Sequence, residues 1–156
     1  MKSHNYQATI TWTGNTGSGT ASYRDYERSH NIQAGGKPVI ESSSDPSFRG
    51  DSSKYNPEEL FLASLSSCHM LWFLHLCSVE GIIVTGYKDK ASGIMTEEKG
   101  GSGKFTRVTL HPSVTVLEER MRAKLDSIHH EANKKCFIAN SCNFPILHQA
   151  QSRVAD

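Results

Sequence analysis

Several patterns that would announce a function are missing from this chain. It has four cysteines and eight histidines but no C-x-x-C pair and no H-E-x-x-H helix, so the usual spacings of a structural zinc site or a metallopeptidase centre are absent. Lysine and arginine (17) nearly balance aspartate and glutamate (16) and form no long cluster, which argues against a nucleic-acid partner. The first residues, MKSHNYQATITWTG, alternate polar and apolar character and lack the continuous apolar run of a secretory signal. The expected location is therefore the cytoplasm. No repeat and no interdomain linker interrupts the 156 residues, so one domain over 1–156 is expected.

What the sequence has is one long charge-free segment. Leu60 to Val79, LFLASLSSCHMLWFLHLCSV, contains no Asp, Glu, Lys or Arg. Its length would span a bilayer, but it carries four serines and two histidines, and its flanks read as ordinary strands, so no membrane partner is expected. A helix apolar on nearly every side is otherwise one buried on nearly every side, by a sheet wrapped around it or by a second subunit. Its start is marked by Asn56-Pro57-Glu58-Glu59, with Asn as N-cap, Pro at the first helical position and Glu59 in capping-box spacing. Gly81 marks its end.

Around that helix the pattern is mostly strands. His4 to Trp12 and Thr20 to Arg28 alternate and are separated by glycines, which predicts a β-hairpin. Residues 42–55, SSSDPSFRGDSSKY, have loop composition. Ile82 to Met95 and Lys104 to Val116, joined by EEKGGSG, predict a second hairpin. Met121, Leu125, Ile128 and Ala132 recur at spacings of three and four, predicting an amphipathic helix from Glu118 to about Lys135, followed by a turn, a short strand and a frayed tail. The order gives an α+β fold with antiparallel sheets.

The cysteines are the candidate chemistry. Cys68 lies about twelve residues into the long helix, roughly 18 Å from its start at about 1.5 Å per residue, beyond the reach of the helix dipole. A reactive thiol there needs a nearby cation, since burial alone leaves a cysteine protonated and inert; a plain core residue is the competing reading. Cys136 follows Lys134 and Lys135 at the end of the second helix, where a change of direction can leave the thiol accessible; a structural role competes there as well. Cys77, nine residues past Cys68, points to the opposite side of the helix and reads as core. Cys142 is a possible competing thiol. Cys68-His69 and His129-His130 are adjacent pairs that diverge by about 100° on a helix, so no metal site is expected.

The segment NPEELFLASLSSCHM, residues 56–70, resembles the signature of the OsmC/Ohr family, in which an N-P-E-[EQ]-L helix start precedes a cysteine at this spacing. KKCFIANS resembles the place of the family's second cysteine, and YKDKASGIM with SSCHMLWFLHLC looks closest to an OsmC-like branch. The resemblance implies an intertwined homodimer with the long helices buried between antiparallel sheets and two active sites at the subunit interface. It implies a thiol peroxidase in which Cys68 attacks a hydroperoxide and Cys136 resolves the sulfenic acid as a disulfide, with an external dithiol, possibly of the lipoyl type, as reductant and no bound cofactor. Glu58 matches the family glutamate that holds a thiolate-stabilising arginine, for which Arg49 and Arg28 are the candidates. Phe61, Leu65, Leu71 and Trp72 are the candidate apolar lining for an organic hydroperoxide. The alternative is a non-catalytic dimer of the same fold that binds a small hydrophobic ligand.

Overall fold

A reciprocal cap starts the longest element of the computed structural model, which describes residues 2–156. The Asn56 side chain accepts from the Glu59 amide (2.8 Å), and the Glu59 carboxylate accepts from the Asn56 amide (3.2 Å), closing the expected capping box. Helix α1 then runs Pro57–Val79. It stops at Gly81, whose φ of 68° suits glycine; the Gly81 amide donates to Ser78 O and the Ile82 amide to Cys77 O, the paired bonds of a Schellman ending.

By its internal contacts the chain divides into two compact units, residues 1–61 and 62–156, with α1 beginning in the first and continuing into the second. The first unit holds an antiparallel meander of β1 (Thr9–Trp12), β2 (His30–Gln33) and β3 (Ile40–Ser42). The expected strand at Thr20 to Arg28 is not formed; β1 pairs with β2 further along. Side chains take the carbonyls that a ladder would need: the Arg28 guanidinium donates to the oxygens of Tyr23 and Tyr26, and Thr16 Oγ1 donates to Asp25 O.

In the second unit the expected hairpin is present but each arm breaks in two. The strands are β4 (Val84–Asp89), β5 (Ser92–Glu97), β6 (Gly103–Leu110) and β7 (Pro112–Val116), with β5 pairing β6 and β4 pairing β7, both antiparallel. A 3₁₀ stretch at Glu119–Lys124 leads into helix α2 (Leu125–Lys135), so the first turns of the expected second helix are 3₁₀. Apolar spacings of three and four suit either helix type, and nothing in the sequence separates them.

The tail is not frayed. It forms β8 (Ile146–His148) and β9 (Gln151–Val154), which add to β6 and β7 respectively, giving sheets ordered β5-β6-β8 and β4-β7-β9. Both additions are parallel, which corrects the expectation of purely antiparallel sheets. The crossover through α2 returns the chain in the direction it left, as a helical connection between neighbouring strands does.

The core of this unit joins Phe73 and Cys77 of α1 to Ile82, Val114, Val116, Met121, Leu125, Ile128 and Ala132. Within the single chain α1 is not buried on nearly all sides. Its buried positions are Leu65, His69, Phe73 and Cys77, one stripe at four-residue spacing, while Leu71 is 63% exposed. The serines and histidines of the segment dilute its apolar character enough that one face serves the core.

Candidate active site

Cys68 and Cys136 come together although 68 positions separate them in sequence. Cys68 sits half-buried in mid-α1, and Cys136, the C-cap of α2, is 0% exposed. Their side chains lie close enough for Cys68 to influence the Cys136 thiol, and no disulfide joins them. Burial is the main cause that pushes the Cys136 thiol up to about 11, with the Cys68 contact adding to it. The Ala139 amide, which donates to Cys136 Sγ at 3.4 Å, works in the opposite sense and is outweighed. Cys136 is therefore a protonated thiol at neutral pH, held beside a partner that is in part open to solvent.

The other two cysteines stand apart from this contact. Cys77 is buried in the core, and burial raises its thiol to about 11. Cys142, half-buried, donates to Ile138 O at 3.3 Å. Among the described residues no group of three or more His, Cys, Asp or Glu side chains is arranged to hold a metal ion.

Aromatic residues border the thiol pair. Trp72, one helical turn beyond Cys68, meets the edge of Phe137, the residue after Cys136, with centroids 5.9 Å apart. Lys135 Nζ lies 5.8 Å from the Trp72 ring centre. Leu71, Trp72 and His75 line an open, mainly apolar depression of about 320 Å³. Of the expected lining, Leu71 and Trp72 are thus at a surface depression, Leu65 is buried, and Phe61 is half-buried in the first unit. Phe137 and His75 were missed; the only sequence signal for Phe137 is that it directly follows Cys136.

Glu58, Arg28 and Arg49 all fall in the first unit. Among the described residues, no ion pair joins Glu58 to either arginine. Arg28 lies 4.2 Å from the ring centres of both Tyr23 and Tyr26 while donating to their carbonyls, which commits it locally. Arg49 is exposed, with its guanidinium 6.0 Å from the Tyr23 ring centre, and caps a 3₁₀ turn (Pro46–Phe48) at φ 66°. Both arginines line a polar depression of about 300 Å³ with Lys54, Asp51 and Glu27.

Residues 50–149 match the family model described as OsmC-like protein. The chain belongs to the OsmC-like family. An OsmC-like protein of unknown function from Vibrio cholerae is 30% identical, with a TM-score of 0.85 over 96% of this chain and 100% of that one. An organic hydroperoxide resistance protein OsmC from Legionella pneumophila shares the fold at 15% identity (TM-score 0.70, covering 99% and 100%). The organic hydroperoxide resistance protein OhrB of Bacillus subtilis shares it at 14% identity (TM-score 0.61, covering 96% and 98%). A comparison with curated proteins finds no match. In this OsmC-like chain Cys68 and Cys136, the two cysteines singled out by the resemblance, lie close together.

Proposed function

We propose that this OsmC-like protein is a thiol peroxidase that reduces organic hydroperoxides in the cytoplasm and so protects against oxidative stress. The observation that carries the reading is the approach of the half-buried Cys68 thiol to the fully buried Cys136 thiol. Cys68 gives up its proton, the thiolate attacks the terminal oxygen of ROOH, the O–O bond breaks, and the alkoxide takes up a proton and leaves as ROH with Cys68 as a sulfenic acid. Cys136 then attacks the sulfenic sulfur; its proton leaves with the hydroxyl as water, and a Cys68–Cys136 disulfide forms. An external dithiol supplies the two electrons that restore both thiols.

The division of burial suits the two roles. The thiol that must meet a peroxide is the accessible one, and the thiol that must wait for a sulfenic acid is shielded and protonated. The depression at Leu71, Trp72 and His75 offers an apolar seat for the organic group. Arg49 is the better of the two candidate cations, because its guanidinium lies 6.0 Å from one tyrosine ring, whereas Arg28 lies 4.2 Å from two and donates to two carbonyls. The protein acts as a homodimer in this reading, which would cover Leu71 and Phe137, 63% and 67% exposed in the single chain. The same depression also supports a second reading, a dimer that binds a small hydrophobic ligand without turnover.

Variant kinetics separate the two. With cumene hydroperoxide and a dithiol, Cys68→Ser is expected to abolish turnover, and Cys136→Ser to allow one turnover and leave a sulfenic acid that dimedone labels at Cys68. Full activity in Cys68→Ser would refute the peroxidase reading.

A further inference from the structure

A second polar contact joins the helices that carry the two thiols, and the peroxidase reading does not use it. His69, the residue after Cys68, and His129 of α2 are each 1% exposed, with His69 Nε2 and His129 Nδ1 3.0 Å apart. The rings are nearly parallel, with centres 5.3 Å apart. Phe73, one turn beyond His69, lies face to face with the His129 ring at 4.0 Å and 15°, so α1 holds His129 by an edge and a face at once. His148 of β8 lies 5.8 Å from both rings.

This pair is a poor device for stability. His69 Nδ1 and His129 Nε2 are buried and have no hydrogen-bond partner among the described residues. Whichever ring donates the shared proton, one N–H is left unpaired, since each neutral imidazole carries one N–H and one acceptor nitrogen. An unpaired buried donor is destabilising, whereas two apolar side chains of similar size would fill the same space without that cost. A directional contact kept at such a place sets register better than it adds stability.

The register in question is that of the thiols. Cys136 lies seven residues after His129, two turns of α2, which returns it to within about 20° of the same face and places it roughly 10 Å further along. The side of α2 that offers His129 to His69 thus leads on to Cys136 at its C-cap, while on α1 the two partners, Cys68 and His69, are adjacent residues. A leucine at 129 would fill the space but would let α2 turn or slide on α1, because apolar packing is not directional.

We propose that His69 and His129 are positioning residues for the thiol pair: their hydrogen bond fixes α2 on α1 in the register that brings Cys136 Sγ to Cys68 Sγ, and so sets how readily the disulfide closes. This rests on the disulfide step of the peroxidase reading, and the test separates the two. The full-length protein is equilibrated in glutathione or dithiothreitol redox buffers without peroxide, and the Cys68–Cys136 bridge is quantified. The double variant His69→Leu/His129→Leu is expected to fold with unchanged circular dichroism and to close the disulfide at least tenfold less favourably. His129→Asn, whose side-chain amide stands where Nδ1 stood, is expected to stay within threefold of wild type, as is His69→Gln, whose amide stands where Nε2 stood.

A folded double-leucine variant with an unchanged disulfide equilibrium would overturn the positioning role while leaving the peroxidase reading intact. A double variant that fails to fold would make the pair a stability element and overturn the proposal, as would a loss above tenfold in both amide variants. A wild-type protein that forms no Cys68–Cys136 bridge in any buffer would overturn the disulfide reading and the positioning role together.

Discussion

Mild acid is expected to destabilise the second unit steeply, and the cause is the buried histidine pair. Burial lowers His69 to about 4 and His129 to about 3, from an ordinary value of 6.5. His148 on β8 lowers both further, and Asp89 on β4 opposes this at His69. The folded chain thus holds both rings neutral at pH values where the unfolded chain protonates them. The unfolded state binds more protons below pH 6.5, so stability is full above that pH, falls as pH drops, and stops falling below the folded values. Each histidine contributes a slope approaching about 1.4 kcal/mol per pH unit, so the pair removes several kcal/mol by about pH 4.5, a large share of a typical domain's stability. His148, lowered mainly by burial, acts in the same direction. Urea unfolding followed by far-ultraviolet circular dichroism at pH 7.5, 6.0, 5.0 and 4.5 measures the slope. His69→Leu/His129→Leu is expected to flatten most of it. An unfolding free energy independent of pH between 7 and 5 in the wild type, or an equal slope in the variant, would refute the reasoning.

Other contacts carry expected outcomes of their own. Asn56→Ala removes the acceptor of the Glu59 amide and is expected to cost about 1 kcal/mol, visible as a lower thermal midpoint, with Asn56→Ser recovering most of it. Arg49→Ala is expected to slow the first reaction of the thiol with cumene hydroperoxide at least tenfold in single-turnover assays, and Arg28→Ala to lower the thermal midpoint, since Arg28 ties together Tyr23 and Tyr26. The opposite assignment of effects would reverse the roles given to the two arginines.

The long helix was legible to within a residue because its signals are local. Asn56, Glu59 and Gly81 act through backbone geometry next to them in the chain. The glycine-rich turn between β5 and β6 was legible for the same reason. Features decided by partners distant in sequence were not. Where β2 begins depends on Arg28 and Thr16 claiming carbonyls of the intervening loop, and whether the tail forms strands depends on open edges at β6 and β7. The thiol pair was expected only from the family resemblance, since no local signal in the sequence announces that Cys68 and Cys136 lie together. The histidine pair escaped notice because His69 and His129 are 60 residues apart. In sequence each was conspicuous only beside a neighbour from which it diverges on the helix.

The central claim is that Cys68 and Cys136 form one redox pair, and a thiol count tests it most directly. Reduced protein carries four free thiols. One equivalent of cumene hydroperoxide is expected to remove two of them rapidly, with peptide mapping placing the new disulfide between Cys68 and Cys136. Four thiols surviving the peroxide, or a bridge that involves Cys77 or Cys142 in place of that pair, would contradict the account.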